Sequence, residues 1–299
     1  MPHLRDIRKR IEAARNIRKI TQTMERISSV RVMRENRRLE STREYSTALR
    51  DMAADLFYTA MQSGDGIRDL CLLHDRDEAR ATALIVVASN QGMCGGFNNR
   101  LLEAADRVYA QYAGKGHIPL IFAVGKKAIE HFKNRGIPIH FSTEQLSERL
   151  DYEDIAPLVE TLTRSMEAGE LDEVLLIYTH LESSSVRHPV VEVLLPCSKF
   201  LEGLQSPDRR RHTLFECEPN VRGMIGALLP EVINNRMFQA LLESVVAEHI
   251  SRRVAMQQAS TAAHDMIIQM GNLYQKTRKA KITAELNEIM STIMALQRE

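Results

Sequence analysis

The stretch EVINNRMFQALLESVVAEHISRRVAMQQASTAAHDMIIQMGNLYQKTRKAKITAELNEIMSTIMALQRE, Glu231–Glu299, decides the architecture. It holds one glycine, Gly271, and no proline. As a single helix at about 1.5 Å per residue it would be roughly 100 Å long, beyond the width of any compact domain this chain can build. Toward its end Ile282, Leu286, Ile289, Ile293 and Leu296 recur in alternating steps of four and three, the seam of a coiled coil. One narrow apolar stripe cannot be satisfied by water, so such a helix needs a partner.

The expected partner is the other end of the chain. Between His3 and Ser63 there is neither glycine nor proline. Leu4, Ile7, Ile11, Ala14, Ile17, Ile20, Met24, Ile27 and Val30 recur at steps of three or four among charged and polar residues, which predicts an amphipathic helix with a thin apolar face. The three-residue steps from Ile11 to Ile20 depart from a regular heptad and predict an irregular supercoil there. Two long terminal helices around a middle domain imply an antiparallel hairpin with arms far apart in sequence.

Between them the pattern changes. ALIVVAS (Ala83–Ser89), PLIFAVG (Pro119–Gly125), IPIHF (Ile137–Phe141), EVLLIY (Glu173–Tyr178) and PVVEVLL (Pro189–Leu195) are short apolar runs rich in β-branched residues, hence buried strands. Helical periods fall between them, including Asp154–Ala168. Strands alternating with helices predict an α/β layered, Rossmann-like domain with a largely parallel sheet. The expected organisation is a first helix over 1–62, a linker over 63–80, the α/β domain over 81–200, a connecting loop over 201–229 and the last helix over 230–299. Pro219 and Pro230 punctuate the entry to that helix.

Net charge over the 299 residues is only +1. It is unevenly placed, since residues 1–50 carry fourteen Lys and Arg against six Asp and Glu. Any single arginine there is most simply a solvated side chain, but the density of the run favours an acidic partner surface. Four scattered cysteines, Cys71, Cys94, Cys197 and Cys217, lack metal-ligand spacing and read as reduced thiols of a cytoplasmic protein. The opening MPHLRDIRKR is charged from the start, unlike a secretory signal. No run approaches the roughly 18 to 20 apolar residues of a membrane span, so membrane contact is expected only through partners.

The one candidate for chemistry is the turn Gln91-Gly92-Met93-Cys94-Gly95-Gly96-Phe97 between a strand and a helix. Phosphate loops sit at such places because backbone N–H groups at a helix N-terminus attract anions. The spacing matches neither G-x-G-x-x-G nor the P-loop, so a tight structural turn is the better reading. Cys94 has no assignable base. The histidines form no metal-binding spacing and no carboxylate pair stands out. No catalytic, cofactor or metal residue is expected.

Three stretches carry a family resemblance: IRKRIEAARNIRKITQTMERISSVRVMR (Ile7–Arg34), SNQGMCGGFN (Ser89–Asn98), and EHISRRVAMQQAS (Glu248–Ser260) continued by LYQKTRKAKITAELNEI (Leu273–Ile289). In order and spacing, over essentially the whole chain, they resemble the gamma subunit of F-type ATP synthases, the rotating central stalk. The resemblance implies an antiparallel coiled-coil shaft, one copy per complex, within a ring of three alpha and three beta subunits. It implies that the α/β domain sits near the epsilon subunit and the membrane-embedded c-ring, on the cytoplasmic face of a bacterial inner membrane. Catalysis would belong to the ring. By the same resemblance, Ile20, Thr21, Met24 and Arg34 of the first helix and Lys276, Arg278, Thr283 and Glu285 of the last face or brace that ring. Gly92, Cys94, Gly95, Gly96 and Phe97 match the family's structural turn. Arg26, Met33, Ala262, Lys281 and the tail STIMALQRE depart from the family pattern. No dithiol insertion marks a redox switch. Two other readings stand beside this one. The first is a nucleotide-binding α/β enzyme with coiled-coil oligomerisation arms. The second is a nucleic-acid-associated coiled coil, which the scarcity of stacking aromatics in the first helix disfavours.

Overall fold

A computed structural model describes residues 3–63, 71–73, 81–144, 151–183, 186–197, 217–218 and 220–296. Most of the 63–80 linker and most of the 201–229 loop therefore lie outside the described residues. The chain divides into two compact units: Met1–Ser29 with Arg252–Glu299, and Val30–Ser251.

The second unit is built on a five-stranded sheet in the order β3-β2-β1-β4-β5. The strands are β1 (Thr82–Val87), β2 (Leu120–Val124), β3 (Ile139–Thr143), β4 (Glu173–Leu181) and β5 (Arg187–Leu195). Central β1 is buried along its whole length and pairs in parallel with β2 and β4. Its alternation sorts the core into two layers. Leu84 and Val86 face α2 (Phe97–Gly114) and α3 (Lys126–Asn134). Ala83, Ile85 and Val87 face the other way, toward the end of α1 (Leu4–Ser63), α4 (Ala156–Glu167) and the first turns of α5 (Val221–Leu296). The near-continuous apolar character of the strands follows from this two-sided burial. The exception to parallel pairing is β5, which runs antiparallel to β4. Only residues 182–186 separate the two strands. That is far too short for a crossover, which needs a dozen residues or more.

The terminal helices were expected to meet along Leu4 through Val30 by way of Ile17, Ile20 and Ile27, and the structure corrects this. In the first unit the buried positions of α1 form a strict seven-residue repeat, Ile7, Ala14, Thr21 and Ser28; in the second, Glu35, Leu49 and Leu56 keep the same phase, with Thr42 half-buried and Ser46, Ala53, Ala54, Thr59 and Ala60 buried as well. Ile17, Ile20, Ile27 and Val30 are each more than half exposed. Helical winding gives the reason. A seven-residue step keeps one face toward the partner, whereas a three-residue step falls about 60° short of a turn. A stripe built on such steps therefore walks off the seam. The seam's hydroxyls are satisfied within α1 itself. Thr21 Oγ1 donates to the Ile17 and Arg18 carbonyls at 3.0 Å each, and Ser28 Oγ to Met24 at 2.8 Å.

The last helix also differs from expectation at both ends. It begins at Val221, within the segment read as loop, and carries Pro230 in its interior. Asn220 supplies the missed start signal, since its Oδ1 accepts the Gly223 N–H at 2.7 Å. Pro230 has no N–H to give, and the carbonyl its ring would crowd belongs to Gly226. At the far end, Met256, Ser260 and Ala263 are buried, Ile267, Met270, Tyr274 and Thr277 half-buried, and every described side chain from Arg278 onward is exposed. The seam at Ile282, Leu286, Ile289 and Ile293 is thus not covered by the chain's other end, against expectation. Its phase explains this. The next in-step position after Thr277 is Lys281, and Ile282 stands about 100° further round the helix.

Cys197 is a buried, free thiol. Burial pushes the Cys197 thiol up to about 12 from an ordinary 9.0. At pH 8 its thiolate fraction is then roughly a thousandfold below that of an exposed cysteine. Native Cys197 is expected to resist maleimide at pH 8 and to react once the chain is unfolded in guanidinium, as peptide mass mapping would show. The sign for stability follows: the unfolded chain releases this proton near pH 9 and the native chain holds it to about 12, so this contribution is lost as pH rises through that window.

Candidate functional site

The turn after β1 lies at the topological switch point, because β2 and β4 flank β1 on opposite sides. Nucleotide-binding α/β proteins use that crevice. Here the turn is closed on itself. The Ser89 N–H donates to Asn98 Oδ1 at 3.1 Å, and Asn98 Nδ2 reaches Ser89 Oγ at 2.8 Å and Cys94 Sγ at 3.2 Å. Ser89 Oγ donates to the Gln91 carbonyl at 2.7 Å. Cys94 and Phe97 are buried together against Ala247 of α5. The last helix thus packs against the turn, and the side chains of Ser89, Cys94 and Asn98 are engaged with one another.

The glycines of the turn differ in what they do. Gly95 has φ +61° and Met93 has φ +62°, the left-handed region where glycine is favoured. Gly92 and Gly96 would admit a Cβ without a close contact. The position that admits none is Gly125, which the sequence reading passed over. A Cβ there would stand 2.1 Å from the Ala88 carbonyl oxygen. Around it the Gly125 N–H donates to Thr143 at 2.8 Å and the Ala88 N–H to Val124 at 2.9 Å. Glycine at the strand-to-helix step VGKK was the available signal.

The helix residues expected to meet a ring separate into different settings. Ile20 is 59% exposed, and Met24 is half-buried beside the seam. Thr21 is turned inward, with 7% exposure, as part of the buried repeat. Arg34 is exposed, and its guanidinium is held at 2.6 Å by Glu35, a carboxylate buried on the seam and also paired with Arg38 at 3.2 Å. In α5, Lys276, Arg278, Thr283 and Glu285 are all exposed. Thr283 Oγ1 donates to the Lys279 carbonyl at 3.0 Å, and Glu285 faces Lys281 at 3.6 Å. The sequence reading assigned the exposed apolar side chains, Ile17 and Ile27 in α1 and Ile282, Leu286 and Ile289 in α5, to the internal seam. They are aliphatic side chains left uncovered on both helices. Natural proteins rarely leave so much aliphatic surface to water without a partner.

Among the described residues no group of three or more His, Cys, Asp or Glu is arranged to hold a metal ion. None of the described helices is long and apolar enough to cross a membrane.

Two long terminal helices with uncovered apolar side chains flank an α/β domain in the sequence, which defines an α/β protein with long helical arms. The sequence model of the ATP synthase family matches residues 3–296. Three similar relatives are ATP synthase gamma chains. That of Saccharopolyspora erythraea is 30% identical over 99% of this chain and 98% of its own length. That of Mycolicibacterium paratuberculosis is 31% identical over 98% and 97%. That of Chloroflexus aurantiacus is 30% identical over 99% of both. Among solved structures, the Euglena gracilis mitochondrial ATP synthase F1/c-ring assembly contains a chain with a TM-score of 0.63 at 16% identity, covering 98% of this chain and 94% of that one. The central stalk and c-ring of the Tetrahymena thermophila enzyme contains another, with a TM-score of 0.59 at 20% identity, covering 81% and 99%. The chain belongs to the ATP synthase gamma chain family.

Proposed function

We propose that this chain turns as the central stalk within three alpha and three beta subunits, with its α/β domain toward epsilon and the c-ring. The observation that carries the proposal is the aliphatic surface of α1 and α5 that the chain leaves uncovered. The chain is a non-catalytic subunit, peripheral to the membrane on its cytoplasmic face, and the chemistry resides in the ring. The glycine-rich turn serves as a joint between β1, α2 and α5, and binds no nucleotide.

The mechanism follows from unequal faces. The exposed surface of α1 is not uniform: the aliphatic side chains of Ile17, Ile20, Ile27 and Val30 stand among arginines and lysines. Chemically identical beta subunits placed round such a shaft meet different surfaces, so each is biased toward a different conformation and nucleotide affinity. Rotation driven by ion flow changes which subunit meets which face. The coupling is a free-energy linkage in which rotation angle is the shared variable. Exposed basic side chains suit this work because screened surface pairs are weak, about 0 to 1 kcal/mol, and release readily.

The test is reconstitution. Alpha, beta, epsilon and this chain are assembled onto inverted membrane vesicles stripped of their own F1. ATP-driven acidification of the vesicle interior is expected with the chain present and absent without it. Equal ATP hydrolysis and no acidification with or without the chain would overturn the stalk assignment.

A further inference from the structure

Within the second unit, one short segment of α5 gathers its directional polar contacts to every neighbouring layer. Glu231 Oε1 accepts hydrogen bonds from Tyr45 of α1, at 3.1 Å, and from Tyr152, just before α4. Asn235 Oδ1 accepts from Ser46 of α1 at 3.0 Å, and this pair is buried. Arg236 meets Glu192 of β5 in a two-pronged pair, with Nε to Oε1 at 2.6 Å and the second prong to Oε2. The same guanidinium donates to Tyr178 Oη of β4 at 2.9 Å, and that hydroxyl donates to Glu192 Oε2 at 3.1 Å. Two turns further on, Glu243 pairs with His180 Nδ1 of β4 at 2.7 Å. Burial disfavours the charge on Arg236, but Glu192 outweighs it and holds the guanidinium above the ordinary arginine range.

The rest of this interface is apolar. Val232, Ile233, Met237, Ala240 and Leu241 pack into the core beneath the sheet. Apolar packing resists separation, but it is non-directional and re-forms after a slide. A forked arginine–carboxylate pair behaves differently, because it holds only in one geometry. On a helix with side chains about 5 to 6 Å from the axis, a 30° turn moves a side-chain head by roughly 3 Å, enough to break both prongs. A largely buried ion pair is also seldom kept for stability, since apolar residues of the same volume often serve as well. Its use here is therefore orientation.

We infer that Arg236 and Glu192 form the torque joint of this chain, fixing the rotation of α5 about its own axis against the sheet. The inference rests on the stalk reading above. Tyr178 and Glu243 brace the joint. Arg236 is a positioning residue, acting on coupling through the helix it holds.

The experiment uses the membrane-reconstituted complex, with ATP hydrolysis and ATP-driven acidification measured on the same vesicles. The paired variant Arg236→Met with Glu192→Leu keeps the volume and removes the directionality. It is expected to hydrolyse ATP within about twofold of the parent while pumping at least threefold less per ATP, with Arg236→Lys falling between. An unchanged pumping-to-hydrolysis ratio in both variants overturns the inference while leaving the stalk reading intact. Failure of Arg236→Lys to assemble also overturns it, since the cluster would then be a folding element. A parent complex that hydrolyses but never pumps would sink the stalk reading and this inference together.

Discussion

The Gly125→Ala chain is expected to unfold at least about 10 °C below the parent, a loss of roughly 4 kcal/mol or more. Two independent terms add. Gly125 sits at φ +92°, ψ +145°, close to a backbone region that only glycine occupies freely, and forcing alanine there costs about 1 to 3 kcal/mol. The added methyl would also stand 2.1 Å from the Ala88 carbonyl oxygen and 2.8 Å from its carbon. Both neighbours are backbone at the end of β1, which is pinned on either side by β2 and β4. No rotamer change relieves that contact. The natural control is Gly96→Ala, where the nearest heavy atom is 3.8 Å away on the flexible Arg100 side chain. That variant should stay within about 1 kcal/mol of the parent. Thermal unfolding of the isolated chains, followed by circular dichroism, compares them. Equal melting temperatures would show that the junction between β1 and α3 relaxes in a way the packing does not suggest.

This pair of glycines also shows what the sequence did and did not disclose. Three glycines in seven residues drew attention to Gly92–Gly96, and a resemblance reinforced it. Yet the sterically demanded glycine is Gly125, because the atoms that forbid a side chain there come from Ala88, 37 positions earlier. No local pattern records such an approach. The architecture was legible for the opposite reason. Long runs almost free of glycine and proline, and strands apolar on both faces, are local properties that a one-dimensional reading detects. The direction of β5 was legible too, had the ten residues left between Tyr178 and Pro189 been weighed against the dozen or more that a crossover needs. The start of α5 was hidden because Pro230 reads as a stop, while its cost depends on what faces the carbonyl four residues back. The helix surfaces were the least legible. Ile17, Ile20 and Ile27 are as apolar as any seam residue, and only winding phase separates them from Ala14, Thr21 and Ser28. Hydrophobicity marked residues that seek a partner without saying whether that partner lies in this chain.

That ambiguity makes a direct test, and it carries the second large effect. Ile20→Glu combined with Ile27→Glu places charges at two positions more than half exposed. Both side chains already meet water, so the melting temperature of the isolated chain should move by no more than a few degrees. Ala14→Glu alters one residue, but that residue is 1% exposed on the buried repeat. A carboxylate there must be desolvated without a designed partner or must pry the helices apart, and a loss of about 3 kcal/mol or more is expected. In the reconstituted complex the order reverses. Each buried isoleucine contributes roughly 1.5 to 3 kcal/mol, so uncovering two of them at a moving contact, and adding charge, should cut ATP-driven acidification at least tenfold. If the double variant melts as low as Ala14→Glu, the exposed stripe is the true internal seam and the seven-residue repeat is misassigned. If it melts normally and pumps normally, the stripe touches nothing during turnover, and the surface that biases the beta subunits must be sought among the exposed basic residues of α1 instead.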